Sequence, residues 1–198
     1  LGQLEVDMHS HLIPGIDDGS PSMDHTIAML AKFEQMGYRK VVTTPHILND
    51  VHPNTPQTIL GGLADVRAEI KRLGMKIEIE AAAEYYLEDE LFRLIERREV
   101  LTFGGSKKYL LFEASFVTKA SYILEAVIKI KQAGYTPVLA HPERYVSLNE
   151  LEVINRLAFN GVLFQINIGS LAGYYSKQAQ ELAELLISKK LVAFLGSD

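Results

Sequence analysis

Short apolar runs alternate with amphipathic stretches along the whole chain. Apolar runs at residues 4–8, 41–44, 76–82, 109–112, 137–140, 162–166 and 191–195 have the length and β-branched content of strands. Between them the apolar residues shift to helical spacing. Ile27, Leu30 and Phe33 mark a first helix, with Ser20 expected as its cap, Pro21 at its first position, Asp24 in its first turn and Gly37 at its end. A polar loop at 49–55 then leads to a second helix through Ile59, Leu63, Val66, Ile70 and Leu73, stopped by Gly74 and weakened by the pair Gly61-Gly62. Further helices are predicted over 88–97, 120–132, 148–158 and 176–189. The pattern amounts to about seven β/α units.

Continuous apolar strands alternating with amphipathic helices predict an α/β fold, in which helices cover a parallel sheet that is either open and doubly wound or closed into a barrel. The strand ends favour the barrel. The run Asp7-Met8-His9-Ser10-His11 delivers two imidazoles at i and i+2, the same side of a strand. Later apolar runs lead to His46, Glu84, Glu113, His141 and Asp198. Residues of this kind at the ends of strands spread along the chain converge in a barrel mouth, whereas an open sheet concentrates its site at one switch point.

Composition narrows the chemistry. The 198 residues contain no cysteine, which excludes disulfides, zinc-thiolate and iron-sulfur sites, and hydrolases that attack through a thiolate. A hydrophobic fraction of 47% suffices for one globular domain, and a net charge of -5 argues against a nucleic-acid surface. No apolar run reaches the roughly 18–20 residues of a membrane span, and no signal-type start is seen, so a cytoplasmic protein is expected. The start at Leu1 and the stop at Asp198, directly after a strand-like run, lead us to expect a chain cut at its C-terminal end.

Imidazoles mixed with carboxylates, without sulfur, suit Mn, Fe or Zn. Two or three such ions would support hydrolysis of a phosphate ester. Arg144, in His141-Pro142-Glu143-Arg144, can take two phosphate oxygens in its planar fork, or pair with Glu143 or Glu150 at the surface. Asp18 is either a ligand or a turn residue beside Gly19. Tyr85 and Tyr86 read as core or rim, with packing beside an aromatic substrate as the alternative. The stretch 169–173 reads as a tight loop or a phosphate support before a helix. His25, in the first helix, is set aside as a surface or packing residue, and His52, in the polar loop, as a solvated one.

Taken in order, Asp7-Met8-His9-Ser10-His11, Pro14-Gly15-Ile16-Asp17-Asp18-Gly19, Thr44-Pro45-His46, Glu84, Glu113, His141-Pro142-Glu143-Arg144, Gly169-Ser170-Leu171-Ala172-Gly173 and Gly196-Ser197-Asp198 resemble the PHP superfamily. Within it, the chain is most similar to the CpsB/CapC-type protein-tyrosine phosphatases of bacterial capsule and exopolysaccharide loci. The resemblance implies a distorted (β/α)7 barrel forming a single phosphatase domain with a three-ion, usually manganese-dependent site. His9, His11, Glu84 and Asp198 would hold one ion. Glu84 would bridge to a second held with Glu113 and His141, and Asp18 and His46 would hold a third with a family histidine beyond Asp198. Arg144, Asp18 and His46 would serve catalysis, with a hydroxide held between the ions attacking phosphorus. The implied substrate is a phosphotyrosine protein, in particular the tail of a cognate bacterial tyrosine kinase, and a homo-oligomer is compatible with the resemblance. A small-molecule phosphatase such as one acting on histidinol phosphate, and a non-catalytic metal-binding module, are the alternatives.

Overall fold

The computed structural model describes residues 4–148 and 150–198. Its contacts divide into two compact units, one running through Glu84 and one from Tyr85 to Asp198.

The first unit contains β1 (Val6–Ser10), α1 (Met23–Gln35), β2 (Lys40–Thr43), β3 (His46–Ile47), α2 (Pro56–Leu73) and β4 (Glu78–Ala81). The strands β1, β2 and β4 form a parallel sheet in that order, with Asp7 opposite Val41 and Val41 opposite Ile79. A register shift between Asp7 and Ser10 bends β1 just where it carries His9. Leu30 and Phe33 of α1 and Leu63, Val66 and Ile70 of α2 join Val41 and Ile79 in one buried cluster. The apolar stripes of both helices are therefore satisfied on the sheet.

Both helix starts have a chemical cause. Thr55 caps α2, accepting from Thr58 N while Thr58 reaches back to the Thr55 backbone, and Pro56 occupies the first turn, where no N–H is needed. In α1 the cap is Ser22, which accepts from His25 N, and not Ser20 as the sequence suggests. The Ser20 hydroxyl is committed elsewhere, donating to the Ser22 carbonyl and accepting from Thr26 Oγ1, so the helix begins two residues later. The pair Gly61-Gly62 also has an explanation. A side chain at Gly62 would meet Ile13 Cγ2 at 2.3 Å, whereas Gly61 faces nothing within 4 Å. Gly62 lets α2 approach Ile13; Gly61 only weakens the helix.

Strand β5 (Glu84–Tyr86) spans the boundary between the units. The second unit continues with α3 (Asp89–Arg97), β6 (Tyr109–Glu113), α4 (Ala120–Gln132), β7 (Thr136–Ala140), α5 (Leu151–Phe159), β8 (Leu163–Asn167), α6 (Ile168–Leu171), α7 (Lys177–Ser188) and β9 (Val192–Gly196). Its sheet runs β6-β7-β8-β9, every pair parallel. The interior residues of β6, β7 and β8 are buried without alternation, as expected when both faces of a parallel sheet are covered. Helix α5 starts three residues later than its apolar spacing suggests, because residues 146–148 form a 3-10 turn. The stretch Gly169–Gly173, read as a tight loop or a phosphate support before a helix, includes most of the one-turn helix α6. Among the described residues no helix is long and apolar enough to cross a membrane.

Candidate metal centre

The first unit brings together His9, His11, Asp18, His46 and Glu84. β1 presents His9, and the chain leaves that strand at His11. β2 ends at Thr43, three residues before His46, and Glu84 follows β4 by the same interval. Hydroxyl groups fix these exits. Thr43 Oγ1 accepts from Leu12 N at 2.9 Å and donates to the Ser10 carbonyl at 3.1 Å. Asn54 Nδ2 donates to the carbonyls of Ile16 and His46 at 2.8 and 2.9 Å, tying two loops together.

Glu84 is fully buried, and three imidazoles surround one of its oxygens. His9 Nε2, His11 Nε2 and His46 Nδ1 lie 3.2, 3.6 and 3.1 Å from Glu84 Oε2. His9 Nε2 and His11 Nε2 are 3.2 Å apart. His46 turns its other nitrogen, Nε2, toward Asp18 Oδ1 at 3.5 Å. The donor atoms of His9, His11 and Glu84 lie within 4.8 Å of one another, and so do those of His11, Asp18 and His46. Donors bound to one ion at about 2.0–2.2 Å stand roughly 3–4 Å apart, so these spacings fit shared ions. A carboxylate buried among imidazoles also needs positive charge, which a divalent ion supplies.

Asp17 organises this cluster. Its buried carboxylate receives His11 Nδ1 at 2.8 Å, Gly19 N at 3.1 Å and His46 N at 3.2 Å. Burial pushes the carboxyl up, but the His11 hydrogen bond and charge and the two backbone donors outweigh it and hold Asp17 below the ordinary carboxylate range. An ionised carboxylate has no proton to give, so His11 Nδ1 is the donor. In the neutral ring, His11 Nε2 then carries the lone pair a metal requires. Gly19 lies so close to His11 that a side chain there would meet His11 Cβ at 2.3 Å.

In the second unit the expected residues fall into two pairs. Glu113 ends β6 and His141 follows β7, with His141 Nε2 3.7 Å from Glu113 Oε2. His141 adopts φ 34°, a left-handed conformation unusual for a side chain with a Cβ. Arg144 Nη1 lies 3.5 Å from Asp198 Oδ2, so its partner is neither Glu143 nor Glu150. Asp198 also accepts from Asn167 Nδ2 in a short hydrogen bond, and the Tyr175 hydroxyl lies 3.5 Å away. Glu143 is buried, with Oε1 accepting from Asn167 N at 2.9 Å and from the Ser170 hydroxyl at 2.7 Å. Burial raises its pKa despite these bonds.

The family model described as capsular polysaccharide synthesis, CpsB/CapC, matches residues 5–198. The chain belongs to the CpsB/CapC family. It is 28% identical over 194 residues to the tyrosine-protein phosphatase YwqE of Bacillus subtilis (strain 168), covering 98% of this chain and 76% of that protein. It is 29% identical over 199 residues to the tyrosine-protein phosphatase CpsB of Streptococcus pneumoniae, covering 98% of this chain and 82% of that one. A solved structure from work on YwqE and CpsB, described there as unique metal-dependent tyrosine phosphatases, superposes with a TM-score of 0.89 at 27% identity, over 98% of this chain and 78% of that one.

Several residues of this CpsB/CapC chain gain a role that sequence reasoning missed. Asp17 differs from Asp18 only by one place in a turn, and its side chain is recognisable as a brace only once His11 and His46 are seen to meet it. His52, set aside as solvated, is half-buried and stacks on His46 with ring centroids 5.6 Å apart and planes 14° apart. His25 is exposed as expected. Tyr85 is core, fully buried, with its hydroxyl accepting from Leu101 N at 2.6 Å, so no substrate-facing role remains for it.

Proposed function

We infer that this protein is a metal-dependent phosphatase that hydrolyses phosphotyrosine in proteins. The observation that carries the inference is the convergence of three imidazole nitrogens on the buried Glu84 oxygen within 3.6 Å, in a CpsB/CapC chain. The absence of cysteine removes the thiolate route to the same reaction. The distorted (β/α)7 barrel, manganese as the ion and a cognate tyrosine kinase of a capsule or exopolysaccharide locus as the substrate belong to the same proposal. They are supported by the β/α alternation, by the oxygen-and-imidazole donor set and by the family's description.

In this proposal His9, His11, Asp18, His46 and Glu84 are metal ligands, and Glu113, His141 and Asp198 supply further ones. Divalent ions held by these residues would supply positive charge for the phosphoryl oxygens and would lower the pKa of water so that hydroxide is available at neutral pH. Asp17 keeps the His11 lone pair directed at the ion. Asp18 and His46 join ion binding to orientation of the reacting groups. Arg144 receives the phosphoryl oxygens through its planar fork, and its charge matches the negative charge those oxygens carry in the bound ester.

The test is phosphate release from a phosphotyrosine peptide by protein of measured metal content, before and after chelation and after Mn is restored, with histidinol phosphate as the competing substrate. Activity lost on chelation, restored by Mn and greater on the peptide is expected. A metal-loaded protein that hydrolyses neither substrate, or that prefers histidinol phosphate, overturns the reading.

A further inference from the structure

Arg144 is held mainly by rings. Its guanidinium carbon lies 4.5 Å from the centroid of Phe116 and 4.4 Å from that of Tyr175. Among the described residues the hydrogen bonding of the guanidinium is limited to the 3.5 Å contact with Asp198. A guanidinium carries five N–H donors in a fixed plane, and stacking on an aromatic face uses none of them. The rings themselves are fixed. Phe116 packs edge-on against Tyr145, centroids 5.6 Å apart, and Tyr145 is buried with its hydroxyl accepting from Ala114 N at 2.7 Å. The Tyr175 hydroxyl accepts from Asn167 Nδ2 at 3.2 Å. Phe116, Arg144 and Tyr175 together line an open pocket of about 230 Å³.

We propose that Phe116 and Tyr175 are positioning residues that hold the Arg144 guanidinium in one orientation, with its donors left available for the phosphoryl group of the substrate. This rests on the phosphatase reading for the identity of the ligand. The physical reason is entropic. An arginine side chain free to rotate must be ordered when it binds, whereas a stacked one already is. The ester already carries its negative charge before reaction, so most of the effect falls on binding and little on turnover.

The test compares Phe116→Leu and Tyr175→Leu with Tyr175→Phe, which keeps the ring and removes only the hydroxyl. For each full-length, Mn-loaded protein we would measure kcat and KM on a phosphotyrosine peptide and the inhibition constant of inorganic phosphate. The Arg144 Nε–Hε resonance, located by its loss in Arg144→Lys, gives a readout independent of activity. The leucine variants are expected to raise KM and the phosphate inhibition constant about 5- to 10-fold with kcat little changed. They should also move the Arg144 resonance downfield as the ring-current shielding is lost, while Tyr175→Phe, which keeps the ring over the guanidinium, should shift the resonance and KM less than Tyr175→Leu does. Leucine variants that leave KM, phosphate inhibition and the resonance unchanged overturn the proposal. So does a fall in kcat and thermal stability with the resonance in place, which marks a purely structural role. If the wild type hydrolyses no phosphotyrosine, the phosphatase reading fails, and the resonance still decides whether the rings hold Arg144.

Discussion

His11 donates from Nδ1 to Asp17 at 2.8 Å and turns Nε2 to within 3.6 Å of Glu84. One hydrogen bond thus sets which nitrogen of His11 faces the ligand cluster, and the same carboxylate also receives the backbone N–H of His46. Replacing Asp17 by Asn leaves the shape but removes the charge and puts an N–H2 where an oxygen stood. We expect Asp17→Asn to lower Mn affinity about 10- to 100-fold, measured by calorimetry on metal-stripped protein. An affinity equal to wild type would show that His11 is oriented by something else.

A Cβ at Gly19 would lie 2.3 Å from His11 Cβ and 2.4 Å from the His11 carbonyl oxygen, distances no side chain tolerates. Gly19→Ala must therefore displace His11 or open the turn. The expected result is a loss of about 1–3 kcal/mol in stability by chemical denaturation, accompanied by weaker Mn binding. Unchanged stability and metal affinity would mean the turn yields freely.

The neighbouring glycines of α2 make a matched pair with opposite expected signs. Gly61→Ala places a methyl in open space on a helix and should stabilise by roughly 0.5–1 kcal/mol. Gly62→Ala drives a methyl into Ile13 and should destabilise by about 1–3 kcal/mol. Urea melts of the two variants decide, and shifts of the same sign would contradict the packing described for Ile13.

Tyr85 supplies a pH dependence. Burial pushes its phenol well above the ordinary value of 10.0, with the Leu101 N–H acting in the opposite direction and the Tyr135 charge adding slightly to the rise. Above about pH 10 the unfolded chain has therefore released a proton that the folded chain retains, so alkali favours unfolding. The contribution is constant below pH 10 and declines as pH rises beyond it. Tyr85→Phe leaves Leu101 N without its acceptor and should cost about 1–3 kcal/mol at neutral pH. Its deficit relative to wild type should shrink above pH 10; parallel stability curves for the two proteins would rule the buried phenol out as the cause.

Much of the molecule follows from local pattern alone. Apolar runs separated by helical spacing place the main strands and helices to within a few residues, because burial on both faces demands continuous apolar strands and burial on one face demands a helical stripe. The i, i+2 spacing of His9 and His11 already predicts that both imidazoles face the same side, and both do reach Glu84 although His11 lies just past the end of β1. The order of His46, Glu84, Glu113, His141 and Asp198 after apolar runs was likewise readable, as was the exclusion of thiol chemistry.

Tertiary structure alone decided what those side chains meet. The sequence points to Ser20 as the cap of α1, but a buried contact with Thr26 commits the Ser20 hydroxyl and Ser22 takes the position. Asp17 and Asp18 are adjacent and chemically identical, yet one braces His11 and His46 from inside while the other faces His46 from an exposed turn. Arg144 carries the same charge in any context, but its partners, Asp198 and the rings of Phe116 and Tyr175, come from segments well separated in the chain. Spacing along a chain controls direction over a few residues; contact between distant residues depends on how the packed elements bring them together.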